Sequence, residues 1–200
     1  MWNELLKSKL RFFSNDSAFG QRSALVATCL FASSAAVAAE PRQTIDINGE
    51  AVKYNLSTSL WTTHFNPRPE HNNTQRFLGI ERYGDNFVTR PLQQRFERLA
   101  EADPMLGIAH FRNSFDQSTI FAYAGFTQAI WQRESWQARV KVGAGFIHGY
   151  RNEFQDKIPF NSFGTAPAAI PSLTLHYQRF NGEMILFGTS GVMLNVGYSF

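Results

Sequence analysis

The clearest pattern along the chain is the alternation of apolar with polar or small residues at its C-terminal end. Val192, Leu194, Val196, Tyr198 and Phe200 fall on one face, and glycine, methionine, asparagine and serine occupy the other. A period of two is typical of a β-strand whose two faces meet different surroundings. The pattern predicts a strand over 191–200 that has one apolar face and ends in phenylalanine.

A second long segment, 136–150, repeats this pattern. Its first face carries Trp136, Ala138, Val140, Val142, Ala144 and Phe146, and the opposite face carries Gln137, Arg139, Lys141, Gly143, Gly145 and Ile147. A lipid-facing band opposite a mixed interior is what a strand of a membrane barrel requires.

Segments of this kind predict an all-β fold, an eight-stranded antiparallel up-and-down transmembrane β-barrel. The strands are expected at 54–65, 75–83, 105–113, 118–131, 136–150, 169–180, 182–189 and 191–200. The Asn181-Gly182 pair predicts a two-residue hairpin turn between strands six and seven. Residues 91–104 break the pattern, because Leu92, Phe96 and Leu99 have helical spacing and predict a short amphipathic helix between strands two and three.

The N-terminus has the organisation of a secretory signal peptide. A basic leader ends at Arg22, an apolar stretch spans 24–31, and small residues at 35–39 predict cleavage near Ala38-Ala39. A single membrane anchor is the competing interpretation, although the apolar run is short. The predicted domains are a signal peptide at 1–39, a short periplasmic segment at 40–53 and an outer-membrane barrel at 54–200. Cleavage removes Cys29, the single cysteine, so we expect no disulfide in the mature chain.

Composition excludes several other classes of protein. Hydrophobic residues make up 44% of the chain and charged residues 18%, which excludes a disordered protein. A mean hydropathy of −0.27 excludes a bundle of membrane-spanning helices. Much of the formal charge of +3 lies in the first 39 residues, so there is no basic stripe to bind nucleic acid.

Residues capable of chemistry gather at one end of the predicted barrel. If both termini lie in the periplasm, the loops after strands one, three, five and seven lie at the cell surface. His64 closes strand one, Asn113-Ser114-Phe115-Asp116 closes strand three, and Arg151, Asp156 and Lys157 follow strand five. A serine, a histidine and an acid at one rim suit a nucleophile, its base and its orienting group, although polar residues are ordinary in surface loops.

The predicted lumen face of strand five is charged in its periplasmic half and small in its outer half. An eight-strand barrel is normally filled by side chains. Gly143 and Gly145 therefore either leave an apolar slot for one hydrocarbon chain or relieve crowding in a narrow interior.

Short motifs resemble the outer-membrane lipid A palmitoyltransferases, which are eight-strand barrels that move a palmitoyl chain from a phospholipid to lipid A. The motifs are Thr62-Thr63-His64-Phe65, Phe111-Arg112-Asn113-Ser114-Phe115, and Gly145-Phe146-Ile147 through Arg151 to Ile158-Pro159. The resemblance is distant and covers most of 60–200. It implies catalysis by His64, Asn113 and Ser114, an acyl pocket floored by Gly125, and a substrate-binding role for Arg151.

The chain also departs from the family's pattern. Asn113 stands where the family has aspartate, which leaves Asp116 as a possible substitute, and Ser59 stands where a proline flanks the family's lateral gate. A cluster of prolines around the third surface loop either leaves a gap for a lipid or shapes a long loop; its members are Pro159, Pro167 and Pro171. The 91–104 insertion has no counterpart in the family.

The resemblance implies a Gram-negative outer-membrane acyltransferase that uses a phospholipid and lipid A, or lipopolysaccharide, as substrates. The alternative is a non-enzymatic barrel of the same fold, structural or binding or transporting a lipid or small solute. We expect a monomer without cofactor or metal, since His64, Glu70 and His71 lack metal-ligand spacing. We also expect the C-terminal strand ending in Phe200 to address the outer-membrane assembly machinery.

Overall fold

The computed structural model describes residues 43–200, so the predicted signal peptide, its cleavage site and Cys29 lie outside the described residues. Eight antiparallel strands form a closed barrel in which the last strand pairs with the first, in the order β10-β3-β4-β5-β6-β7-β8-β9. The barrel strands are β3 (Tyr54–His64), β4 (Leu78–Tyr83), β5 (Asp103–Arg112), β6 (Ser118–Arg133), β7 (Trp136–His148), β8 (Thr165–Tyr177), β9 (Phe180–Leu186) and β10 (Gly191–Ser199). The predicted fold class is confirmed.

The outer wall is apolar. Side chains at alternate positions point away from the lumen, among them Leu60, Leu78, Ile108, Ile120, Phe146, Leu173 and Leu194. Aromatic side chains form a girdle at one end, where Trp136 packs on Tyr177, Phe180 on Tyr198, and Tyr54 on Phe200. An apolar band with an aromatic girdle is the exterior of a transmembrane barrel. In residues 43–200, no helix has the length and hydropathy to cross a membrane.

The two ends of the barrel differ. The two-residue turns after β6 and β8 lie at the end with the aromatic girdle, which we call the hairpin end. The opposite end carries the connections 65–77, 113–117, 149–164 and 187–190, and we call it the loop end. The predicted surface loops therefore lie together at one end.

The turn between β8 and β9 corrects the prediction for Asn181-Gly182. Tyr177 pairs with Phe180, which places the turn at Gln178 and Arg179. Asn181 is buried in the lumen, where its Nδ2 donates to Asn55 Oδ1 at 2.7 Å. Burying this amide outweighs the local turn preference of the Asn-Gly pair, and Gln178 adopts the left-handed conformation with φ of 52° instead.

Strand β8 begins at Thr165, four residues earlier than predicted, and so it contains Pro167 and Pro171. It pairs with β7 along its whole length, but its pairing with β9 runs only from Ser172 to Tyr177. The segment 165–171 is therefore an edge on one side, and an edge is where a strand tolerates proline.

The insertion between β4 and β5 is less helical than predicted. It contains a helix, α1 (Arg90–Arg95), and a 3₁₀ turn at Glu97–Leu99, and β5 already begins at Asp103. Pro91 stands in the first turn of α1, where its missing N–H costs no hydrogen bond.

An apolar layer and a charged layer fill the middle of the lumen. Near the loop end lies an apolar cluster that includes Phe77, Phe111, Phe121, Ile147 and Met193. Below it, Lys141 Nζ lies 2.7 Å from Glu81 Oε1 and 2.5 Å from Glu183 Oε1. The predicted charged half of the lumen is thus a buried ion cluster, and polar groups satisfied this way are tolerated in a core.

A small hairpin closes the hairpin end. Its strands are β1 (Ile45–Ile47) and β2 (Glu50–Val52), which lie within the segment predicted at 40–53. Ile45, Ile47 and Val52 are buried against Tyr83 and Met105 of the barrel. Hydrogen bonds hold the hairpin in place, from Arg139 Nη1 to Asp46 O at 3.2 Å and from Asn48 Nδ2 to Ser135 O at 2.8 Å.

Candidate functional site

Three side chains form a hydrogen-bonded relay at the loop end. His64, the last residue of β3, places Nε2 2.7 Å from Ser114 Oγ. Its Nδ1 lies 2.8 Å from Asn73 Oδ1. An amide oxygen only accepts, so Nδ1 carries the proton and Nε2 is left to accept from the Ser114 hydroxyl. This is the arrangement of a nucleophile, its base and an orienting group.

Asn73 lies beside His64 because hydrogen bonds hold its loop, 65–77, against the loop that follows β5. Asn72 N donates to Ser114 O at 2.8 Å, and Asn72 Nδ2 donates to Asn113 O at 3.3 Å. Gln75 Nε2 in turn donates to Asn72 O at 2.6 Å. The main chain on either side of Asn73 is therefore held against β5 and the loop that carries Ser114.

Asn113 supports the site but has a different partner from the one the resemblance implies. Its side chain is buried, and its Oδ1 accepts from Phe115 N at 2.9 Å and Gln117 N at 3.0 Å. These bonds shape the tight loop that carries Ser114, whereas the orienting bond to His64 comes from Asn73.

Asp116 does not take the place of the missing aspartate. Its carboxylate forms a two-bond pair with Arg112, at 2.8 Å to Nε and 2.9 Å to Nη2. The hydrogen bonds from Arg112 lower the pKa of the Asp116 carboxyl. The acid is thus held on the outer side of the loop.

Aromatic rings pack around the relay. The ring of His71 lies 4.2 Å from that of His64, and Phe115 contacts His71 and stacks on Phe154 at 4.1 Å. Burial lowers the pKa of His71, and the adjacent imidazole of His64 lowers it further. His71 is therefore neutral at pH 7 and packs against the base as an apolar wall.

Tyr150 reaches the nucleophile from the loop that follows β7. It lines the same cavity as Ser114, and its hydroxyl interacts with that residue. Burial raises the pKa of the Tyr150 phenol, and the interaction with Ser114 only partly opposes that rise. The phenol therefore keeps its proton at neutral pH.

The relay opens onto a cavity of about 590 Å³. Its lining is mixed: the polar residues include His64, Ser114, Arg68 and Lys157, and the apolar residues include Phe111, Ile147, Ile158, Pro159, Pro167, Ile170 and Phe187. A concave site with a few convergent polar groups and apolar walls suits an amphipathic ligand.

The barrel wall is incomplete beside this cavity. Within the described residues, β8 has no β9 partner over 165–171, and Pro167, Ala168, Ala169 and Ile170 of this segment line the cavity. On the other side, β3 pairs with β4 only over 54–58, which leaves 59–64 without a partner on that strand. The cavity therefore adjoins lateral openings toward the region outside the barrel.

Gly125 and Arg151 lie outside the cavity lining. Gly125 is level with Gly143 on β7 and Met105 on β5, and a Cβ atom at position 125 would lie 2.0 Å from Val142 O. Arg151 Nη2 contacts His148 Nε2 at 2.7 Å, and its main chain exchanges two hydrogen bonds with the Gln117 side chain. The structure thus brings His64 and Ser114 together, with Asn113 behind them.

The ring of Tyr123 occupies the space that the lumen glycines leave. A Cβ atom at Gly107 would lie 2.2 Å from Tyr123 Cζ, and one at Gly143 would lie 2.7 Å from Tyr123 Cδ2. Of the two interpretations of these glycines, relief of crowding is the one that this packing fits.

Sequence reasoning placed Lys157 at this rim but missed Asn73, Tyr150 and Arg68 as residues of the site. Asn73 lies inside a loop without periodicity, so its position depends on the hydrogen bonds of its neighbours. Tyr150 offered a weak signal, since it follows β7 at the same end as Ser114.

Comparison with known proteins finds a structural neighbour but no family. No family model matches the chain, and no curated protein matches it. Among solved structures, the Yersinia pestis outer membrane protein Ail, determined in a phospholipid bilayer nanodisc, is similar with a TM-score of 0.37 and 13% identity. The match covers 74% of this chain and 99% of that chain. The architecture that the chain itself displays is a closed, eight-stranded antiparallel barrel with an apolar exterior.

Proposed function

We propose that this chain is an outer-membrane acyltransferase that moves a palmitoyl-like chain from a phospholipid to lipid A or a related surface lipid. The observation that carries the proposal is the Ser114–His64–Asn73 relay opening onto a half-apolar cavity at the loop end. A nucleophile paired with a base, in a cavity that suits an amphipathic ligand, is the arrangement that acyl transfer requires.

The apolar wall and aromatic girdle support location in the outer membrane of a Gram-negative cell. In barrels of this type the short turns face the periplasm and the longer loops face outward. The hairpin end is accordingly periplasmic, and the relay lies at the level of the outer leaflet and its surface.

The first step forms an acyl-enzyme. His64 Nε2 removes the proton from Ser114 Oγ while Oγ attacks the ester carbonyl of the phospholipid. The tetrahedral intermediate then collapses, the ester C–O bond breaks, and the imidazolium of His64 returns the proton to the departing oxygen of the lysophospholipid. Asn73 Oδ1 holds the Nδ1–H throughout and thereby keeps Nε2 aimed at the serine.

The second step transfers the acyl chain to the acceptor. His64 Nε2 removes the proton from a hydroxyl of the acceptor, the hydroxyl oxygen attacks the acyl carbonyl on Ser114, and the serine leaves with the proton from His64. In both steps negative charge develops on the carbonyl oxygen. The Tyr150 hydroxyl beside Ser114 is the donor that would stabilise this oxyanion.

Substrate entry would use the incomplete wall. A lipid in the outer leaflet reaches the cavity sideways, past 165–171 of β8, without its acyl chain crossing water. Arg68 and Lys157 line the cavity and suit the phosphates of a phospholipid or of lipid A.

Mass spectrometry of lipid A tests this function. Cells that express the wild-type chain should gain a lipid A species heavier by one palmitoyl-sized group, and Ser114→Ala or His64→Ala should abolish the gain. The chain contains a matched control, since Ser118 Oγ lies 2.9 Å from His110 Nε2 at the same rim but outside the cavity. Ser118→Ala should therefore leave the lipid A gain intact.

Two results would refute the acyltransferase. One is an unchanged lipid A profile in cells whose outer membrane contains the folded wild-type barrel, which would favour the non-enzymatic alternative. The other is full activity in both Ser114→Ala and His64→Ala, which would place the chemistry elsewhere.

A further inference from the structure

A trench runs along the outside of the barrel, away from the relay. Its volume is about 680 Å³, and its floor consists of Ala122, Ala124 and Ala144 on β6 and β7. Larger side chains flank the floor, because Ala122 lies between Ile108 and Phe146 in the cross-strand row. The neighbouring outward positions toward the loop end carry the exposed side chains of Ile120 and Phe146, so the three alanines make a local depression in the lipid-facing wall.

The hairpin end of the trench is charged. Arg82 is the second-to-last residue of β4, lines the trench beside Tyr54, and faces outward between two lumen residues, Glu81 and Tyr83. Its Nη1 donates to Asp85 O at 3.4 Å. A guanidinium has five N–H donors in a fork that matches a phosphate, so Arg82 can hold this carbonyl and donate to a phosphate oxygen as well.

The connection after β4 continues this surface. In the segment 85–98, exposed apolar side chains alternate with exposed arginines. Phe87, Val88, Leu92 and Phe96 are 83%, 42%, 43% and 53% exposed, and Arg90, Arg95 and Arg98 lie among them. Val88 also lines the trench. Exposed apolar and basic side chains in one short segment are typical of structure that lies at a membrane interface.

We propose that this trench binds one glycerophospholipid of the periplasmic leaflet, with an acyl chain along Ala122, Ala124 and Ala144 and its phosphate at Arg82. The trench is continuous with the lipid-facing wall, and its single cationic end lies where the phosphates of that leaflet would be. This site rests on the membrane orientation given under the proposed function, but it does not require acyl transfer.

Native mass spectrometry of the full barrel released from mixed micelles tests the site. The probes are a phosphatidylglycerol and a diacylglycerol with the same two acyl chains, which separate the phosphate from the tails. The wild-type barrel should retain one phosphatidylglycerol. Arg82→Gln should weaken this retention about tenfold or more, because a charge-assisted bond is lost.

Filling the trench should have a similar effect. The double variant Ala124→Leu with Ala144→Leu places side chains where the acyl chain lies, and retention should fall about tenfold or more as methylenes are excluded. Matched controls are Arg133→Gln, at the end of another strand near the hairpin end, and Ala138→Leu, on the outer face of β7 but outside the trench. Both controls should retain lipid as the wild type does.

The site would be overturned if the wild-type barrel retained no lipid, or if it retained diacylglycerol and phosphatidylglycerol equally. It would also be overturned if the controls lost as much lipid as the trench variants, or if a dimer of the chain appeared in place of a lipid adduct.

Ser114→Ala separates this site from the proposed function, since it removes the nucleophile and leaves the trench intact. Retention by this variant supports the site even if lipid A proves unmodified.

Discussion

The imidazole of His64 lies between the Ser114 hydroxyl and the Asn73 amide, and the neutral amide limits how well the protonated ring is stabilised. Asn73 Oδ1 fixes the tautomer by accepting the Nδ1–H, but it carries no charge to stabilise an imidazolium. In serine proteases, replacing the corresponding aspartate by asparagine costs about 10⁴ in kcat. A relay with asparagine in this place is expected to be a slow one.

Replacing Asn73 tests this limit. Asn73→Asp places a negative charge beside the imidazolium and should raise the rate of acyl transfer about tenfold or more. This gain is a small part of the factor of about 10⁴ that the reverse replacement costs in serine proteases. Asn113→Asp is the matched control, because Asn113 is engaged by Phe115 N and Gln117 N and should leave the rate unchanged. The check is the initial rate of palmitate transfer to lipid A in detergent micelles. A rise in the Asn113 variant alone would contradict this account.

His71 makes stability depend on pH. Its pKa in the folded chain is lowered from 6.5, mainly by burial, so the unfolded chain takes up the proton more readily. Stability should therefore fall as the pH drops below about 6.5 and continue to fall through the lower folded-state pKa. His71→Gln should reduce the fall in Tm between pH 7.5 and pH 5, measured by tryptophan fluorescence in micelles. An equal fall in both proteins would show that His71 is not responsible.

His64 and Ser114 could be predicted from the sequence because of their positions at the ends of strands. Each closes a strand, and in an up-and-down barrel alternate strand ends meet at one rim. Asn73 offered no such signal, because nothing in the periodicity of the chain indicates where a residue inside the thirteen-residue loop 65–77 will lie.

At the level of the strands, alternation predicted all eight barrel elements, and for β7 and β10 it also predicted the two faces, because each strand is buried on one side and meets lipid on the other. The errors lie where tertiary contacts override local preference. Asn181-Gly182 is a strong local turn signal, yet Asn181 is buried beside Asn55 and Ser199. The prolines of β8 argued against a strand, yet one side of that segment has no β9 neighbour.

Glycine substitutions distinguish the observed turn from the predicted one. Gly182 lies in β9, and a Cβ atom there would meet nothing within 4 Å, so Gly182→Ala should stabilise the barrel by about 0.4–1 kcal/mol. Gln178→Gly should stabilise it by a similar amount, about 0.5–1 kcal/mol, by relieving the left-handed conformation. Gly125→Ala provides the contrast and should destabilise it by about 1–3 kcal/mol, because its Cβ meets Val142 O. Urea unfolding in micelles measures all three, and destabilisation by Gly182→Ala would restore the turn to Asn181-Gly182.

For the whole molecule, the ion cluster in the middle of the lumen connects strands that are far apart in the barrel wall. Lys141 lies between Glu81 and Glu183, which also accept hydrogen bonds from Tyr123 and Ser172. The strands that carry these five residues are spread around the barrel, so the cluster ties the wall together across its diameter.

Removing the positive charge of Lys141 should lower the stability of the barrel. Lys141→Met leaves two buried carboxylates without their cation and should destabilise the barrel by about 3–5 kcal/mol. The triple variant Lys141→Met, Glu81→Gln, Glu183→Gln should recover most of this loss, since it buries no charge. The measurement is the temperature at which the folded band converts to the unfolded band on unheated gels. Failure of the triple variant to recover would mean that the lysine contributes by packing alone.

The hairpin of β1 and β2 has a consequence for the order of events during folding. It precedes the barrel in the chain, yet its partners are Tyr83, Met105, Ser135 and Arg139, and Arg179 bonds Glu50 across 129 residues. None of these partners is in position until strands β4 to β9 have come together, and contacts so distant in sequence form late. The first part of the described chain is therefore the last to dock. During assembly the lumen stays open at that end, so water can leave the core before the hairpin seals it.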